Sequence, residues 1–192
     1  FHVKPAIVAV NPIVLPSTPT RPDFLYPKPK VTPGKCETSN IADVTKSYTT
    51  NCPTGKKTCT YSESHRNVTQ AMKDDVCSNY DCSVKVEIDH ICPVALGGSN
   101  DFENLWAQPE KNGWNGVNFG YKQKDLLEVR LISMVKSGKL ELAEAQQCIL
   151  RDWVQCHKQY IQPSFGSASS TVPYDEDDDI YQAKVDTINQ SN

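Results

Sequence analysis

The sequence predicts an α+β fold: a small antiparallel hairpin packed on helices and stapled by disulfides. Three observations predict it. Residues 83–89 alternate apolar and polar side chains with the period of a strand, residues 127–135 and 142–160 repeat apolar side chains with the period of a helix, and eight cysteines are spread along the chain. A length of 192 residues suits one domain of roughly 100–150 residues with extensions, and not two large domains.

Residues 1–33 hold eight of the 13 prolines. Proline fixes φ and lacks a backbone donor, so this stretch reads as an extended arm: a spacer, a remnant of a pro-segment, or a strap across the body. Cysteines begin after Pro33-Gly34, and the folded domain is placed at 34–165. Residues 34–62 read as loops pinned by Cys36, Cys52 and Cys59. Val68, Met72 and Val76, four residues apart, predict a helix over 64–77. In the strand that follows, Val84, Val86 and Ile88 share one face, while Lys85, Glu87 and Asp89 share the other.

A turn at Gly97-Gly98-Ser99-Asn100 leads to a second strand near Leu105-Trp106, and residues 111–120 read as a Gly/Asn-rich loop. Leu127, Leu131, Met134 and Val135 predict a helix that stops at Gly138. Leu142, Ala145, Ile149, Trp153, Cys156 and Tyr160 line one face of a last helix. Trp106 and Trp153 are expected in the core; Trp114, in the glycine-rich loop, is the better placed to stack on a base. His65 and His157 read as structural or surface groups, and Glu87 as an ion-pair partner or a ligand.

The cysteines form an even set with no C-x-x-C pair, which excludes zinc ribbons and fingers and predicts up to four disulfides in an oxidising, extracellular setting. A start at Phe1 is expected for a secreted product whose leader has been removed, and the sequons Asn67-Val68-Thr69 and Asn189-Gln190-Ser191 fit the same route to a glycoprotein. Cys148 and Cys156 lie eight residues apart, about 12 Å along a straight helix, whereas a disulfide needs Cα atoms within about 7 Å. Each is therefore expected to staple the last helix to something upstream.

The chain carries 20 basic and 23 acidic residues, and its last 22 residues take six of the acids with one lysine, leaving 19 basic and 17 acidic groups elsewhere. The body is thus near neutral. Residues 166–192 read as an acidic, solvated tail, or as a phosphate mimic that competes for a basic site. The overall acidity excludes a simple polycation that coats nucleic acid. No apolar run reaches the roughly 18 residues of a membrane span, so no membrane partner is expected.

The stretch with the most chemistry runs Glu87-Ile88-Asp89-His90-Ile91-Cys92-Pro93-Val94-Ala95-Leu96-Gly97-Gly98-Ser99-Asn100 and continues into Glu103-Asn104-Leu105-Trp106. A strand ends in a carboxylate and an imidazole side by side. Adjacent strand residues point to opposite faces, so one can hold a cation while the other handles a proton. This D-H-x-x-P-x-x-x-G-G-x-N…N-L-W pattern, with Lys124-Asp125-x-x-Glu128 after it, resembles the HNH (ββα-metal) endonuclease family, in a secreted, disulfide-rich branch. The resemblance runs from about Val84 to Tyr160 and leaves residues 1–80 uncovered.

The resemblance implies a ββα-metal core, a hairpin plus a helix, and a metal-dependent phosphodiesterase. His90 would be the general base that activates water, a role its ordinary pKa near 6.5 suits. Asp89 would hold one divalent cation, Mg²⁺ or Mn²⁺, at the scissile phosphate. Asn104 would orient the histidine loop. The family supplies a further ligand after the hairpin, yet no histidine occurs between His90 and His157. Asn118 is favoured for that place, with Asn112 close behind, and Asn115 and the charged substitute Lys122 are also near. Lys122, Lys124 and Arg130, with Lys111, would line the phosphates. The expected partner is DNA, with RNA as the alternative, cut with little sequence preference. The competing reading is a secreted effector or binding protein that keeps an HNH-like scaffold after its chemistry has decayed. A cysteine-rich toxin is a third reading, but no strongly basic amphipathic helix favours it.

Overall fold

The three short helices begin where the sequence supplies side-chain caps. In this computed structural model, which describes residues 25–110, 112–114 and 117–161, Asn40 caps α1 (Ile41–Thr45). Thr60 and Glu63 make a reciprocal capping box on α2 (Tyr61–His65). The Thr69 hydroxyl accepts the Met72 N–H at 3.3 Å and starts α3 (Gln70–Cys77). The single helix expected over 64–77 is therefore two: Arg66 turns extended after α2, and Thr69 begins a new helix.

β1 (Val86–His90) pairs antiparallel with β2 (Leu105–Pro109), placing His90 opposite Leu105, Asp89 opposite Trp106 and Ile88 opposite Ala107. Val86 and Ile88 pack with Val76, Leu105 and Ala107 and with Val68 and Met72, so one face of this hairpin is covered by α3. The expected loop at 111–120 instead contains a second hairpin, β3 (Asn112–Trp114) with β4 (Val117–Phe119). The Asn115-Gly116 dipeptide between these strands is the pair that two-residue hairpin links favour.

α4 (Tyr121–Lys136) and α5 (Leu142–Tyr160) follow, and the chain turns between them through Gly138 at φ +70°. Leu127, Leu131, Met134 and Val135 of α4 are buried with Ala145, Ile149, Trp153 and Val154 of α5 in the larger core. Among the described residues no helix is long and apolar enough to cross a membrane.

Four disulfides join Cys36 to Cys92, Cys52 to Cys59, Cys77 to Cys82 and Cys148 to Cys156. The last corrects the expectation that these two cysteines staple α5 elsewhere. That expectation assumed a straight helix, but Asp152 leaves helical geometry at φ −165°, ψ 88°, and the kink brings the two Cα atoms within 5.5 Å. The Asp152 carboxylate accepts the Gln155 N–H at 3.1 Å and so caps the second half of the helix from inside.

The described end of the proline-rich arm is a strap. The Leu25 carbonyl accepts from Trp153 Nε1 at 2.7 Å, Tyr26 donates to Asp152 at 2.9 Å, and the Lys28 N–H donates to the Tyr80 hydroxyl at 2.9 Å. The rest of the arm and the acidic tail lie outside the described residues.

Candidate functional site

The loop after His90 is built around Asn104. This side chain is fully buried; its Oδ1 accepts the N–H groups of Lys35 and Cys92, and its Nδ2 donates to the carbonyls of Cys92 and Ser99 at 2.9 and 2.7 Å. All four of its hydrogen-bonding positions are used on backbone. The two glycines of the loop have separate reasons to be there. Gly97 sits at φ +86°, and a Cβ on Gly98 would lie 1.9 Å from the Cys92 carbonyl oxygen. The Cys36–Cys92 disulfide pins the same loop from outside.

Asp89 and His90 leave the strand end on opposite faces. His90 is 1% exposed. Its Nε2 lies 3.2 Å from Asn100 Oδ1, an acceptor, so Nε2 carries the ring proton and Nδ1 keeps a lone pair with no partner among the described residues. Asn100 is held by its own bonds: its Nδ2 donates to the His65 carbonyl at 2.8 Å and its Oδ1 accepts the Asn67 N–H at 3.0 Å. The connection between α2 and α3 is thus tied to Asn100, against His90. Burial, and then the charge of Arg66, push the His90 pKa down to about 4, against the opposing pull of Asp89 and Asn100. The ring is neutral at pH 7, and the ordinary pKa near 6.5 expected from the sequence does not hold here: burial makes this imidazole a weaker base.

Asp89 is 4% exposed and already paired. Its Oδ1 accepts the His90 N–H at 2.7 Å, and its Oδ2 accepts from Lys124 Nζ, also at 2.7 Å. Lys124 reaches in from the first turns of α4, donates to the His90 carbonyl at 2.7 Å and pairs with Glu128 one turn on. Burial would lower the Lys124 pKa, but Asp89 and Glu128 outweigh it and raise it above the ordinary value. Burial raises the Glu128 carboxyl, and Asp89 adds to the rise against the pull of Lys124.

Two expectations change here. Lys124 does not face a phosphate: its side chain is 1% exposed and bound to three protein oxygens. The Mg²⁺ or Mn²⁺ expected at Asp89 does not fit this arrangement, because both carboxylate oxygens have protein donors and an ammonium fills the space between hairpin and helix. Asn112 and Asn118 lie on β3 and β4, with Gly113 opposite Asn118, and their side chains are outside the described residues, as is that of Trp114.

The remaining cations are dispersed. Lys122 is 3.6 Å from Glu110, and Arg130 is half-buried two turns further along α4. Arg66 and Lys73, which the sequence pattern did not single out, line a cleft of about 590 Å³ with Val68, Glu87 and Tyr121 along the edge of β1. Arg66 pairs only loosely there, at 4.0 Å from Glu87. The other expected residues are structural: His65 stacks on Tyr61 at 3.9 Å, and Trp106, Trp153 and His157 are buried. No family model, curated protein or solved structure matches the chain.

Proposed function

We propose that this chain is a secreted HNH-like endonuclease that hydrolyses phosphodiester bonds of DNA, with RNA as the alternative substrate, and with His90 as its general base. The observation that carries the reading is the state of the His90 ring: Nε2–H donates to Asn100 Oδ1, which leaves Nδ1 a lone pair with no partner among the described residues at the end of β1. In the reaction Nδ1 accepts the proton of the attacking water as the water oxygen bonds to phosphorus. The P–O bond to the leaving oxygen then breaks, and that oxygen takes a proton from solvent. Arg66 and Lys73, in the cleft beside β1, pair with non-bridging phosphate oxygens. Asp89 and Asn104 are positioning residues: one holds the His90 backbone, the other the loop behind it.

As folded, the ring is covered, so substrate entry moves the 65–67 segment away from Asn100. Four disulfides support export through an oxidising route. On that route Asn67, exposed in the extended link before α3 and followed by Val68-Thr69, carries a glycan at the rim of the same cleft.

A second reading is favoured by the burial of His90 and the lysine-held Asp89: a secreted effector that binds its target on this scaffold without cutting it. Incubating the protein with supercoiled plasmid and with single-stranded RNA, beside His90→Ala, separates the two. Loss of a general base slows cleavage by about 10²–10⁴-fold. Equal cleavage by the variant removes His90 from the chemistry, and retention of nucleic acid without cleavage by either selects the second reading.

A further inference from the structure

Lys124 Nζ stands among three oxygens: Asp89 Oδ2 and the His90 carbonyl, each at 2.7 Å, and Glu128 Oε1. Two belong to the end of β1 and one to the next turn of α4, so hairpin and helix each supply part of the shell. An ammonium has three donors, and here each has an acceptor. The site is closed to solvent at the ammonium, which is 1% exposed. Two carboxyl groups and a backbone carbonyl are also the all-oxygen set that a hard divalent ion takes. The ammonium is tethered, so it fills this site in every molecule, whereas a divalent ion must enter from solution and leave a buried lysine without partners.

We propose that Lys124 is a built-in cation: its ammonium occupies an oxygen-lined cation site between β1 and α4, fixes the backbone of His90, and keeps divalent ions off Asp89. The chain then differs from the family it resembles at the metal itself, because a side chain does the holding that the ion would do. His90 is gripped from both sides, its N–H by Asp89 and its carbonyl by Lys124. Taking the ammonium away leaves three oxygens facing a space of cation size, so Lys124→Ala converts the site into a metal site.

Mn²⁺ is the probe. Free Mn²⁺ is followed by electron paramagnetic resonance as it is added to the full-length wild type, Lys124→Ala, and Lys124→Ala with Asp89→Asn. Crystals of the wild type soaked in Mn²⁺ are read by anomalous scattering. The acidic residues near the C-terminus contribute the same background to all three proteins. Wild type and double variant are expected to bind equal amounts, Lys124→Ala to take up one further equivalent, and the wild-type crystals to show no Mn²⁺ beside Asp89. A Mn²⁺ ion on Asp89 in the wild type overturns the proposal, as does a folded Lys124→Ala with no further equivalent. Should Lys124→Ala fail to fold, the wild-type crystal alone decides, by the presence or absence of that ion. The readout is cation occupancy, so it is separate from whether the protein cuts nucleic acid.

Discussion

Acid should unfold this protein early, and His157 shows why. The residue is 3% exposed on α5, neither ring nitrogen has a partner among the described residues, and the ring meets Phe119 edge-on at 5.2 Å. Burial alone pushes its pKa down from 6.5 to about 4. Between those values the unfolded chain binds a proton that the folded chain refuses, so stability is lost as pH falls from about 6.5 towards 4. The gap is worth up to ~3 kcal/mol, and ~2.5 kcal/mol of it is gone between about pH 7.5 and 4.5. His90, held down to about 4 as well, adds a similar loss. Together they approach the whole stability of an ordinary domain, about 5–15 kcal/mol. Urea unfolding followed by tryptophan fluorescence, at both pH values, measures the loss. His157→Leu should lose ~2.5 kcal/mol less than the wild type on acidification, a difference of about 1 M in midpoint at an m-value of about 2 kcal/mol/M. Equal acid sensitivity of the two proteins would refute the reasoning, because the only cause of the shift is the burial that the leucine no longer suffers.

Asn104→Ala should destabilise by at least about 3 kcal/mol in the same assay, since it strands four backbone groups, two of them on Cys92. Non-reducing peptide mapping should recover Cys148 linked to Cys156, and replacing both by serine should lower the melting temperature while loosening the Tyr26 and Leu25 strap, read as faster proteolysis of the arm. Expressed through a eukaryotic secretory pathway, the protein should lose mass on treatment with an N-glycosidase. Asn67→Gln should lose correspondingly less, and an unchanged loss would place the glycan elsewhere.

What the sequence disclosed follows from how local each feature is. The shared face of Val86 and Ile88, the returning strand, the α4 stop at Gly138 and the span of α5 rest on periodicities and caps a few residues long, and these were legible, whereas Val84, expected on the same face, lies before β1 and is exposed. Two further signals are equally local: Asn115-Gly116 marks the second hairpin, and Asp152 three residues before Gln155 is a cap pattern inside α5. The kink at Asp152 is what permits the Cys148–Cys156 bridge. The pairing of Asp89 with Lys124 spans 35 residues, and the charge of Arg66 acts on His90 across α3 and the loop that follows it. Neither has a sequence period, because each depends on how α4 and the α2–α3 link settle on the hairpin. A lysine in an α4 pattern reads as a solvated charge until the carboxylate it meets is known.

The most direct measurement is the initial rate of cleavage of a labelled oligonucleotide by protein stripped of metal with a chelator, beside His90→Ala under the same conditions. The account predicts that the stripped wild type still cuts, at a rate unchanged by added Mg²⁺, and that His90→Ala is slower by about 10²-fold or more. Cleavage that vanishes with the chelator and returns with Mg²⁺, or that proceeds equally without the imidazole, would contradict it.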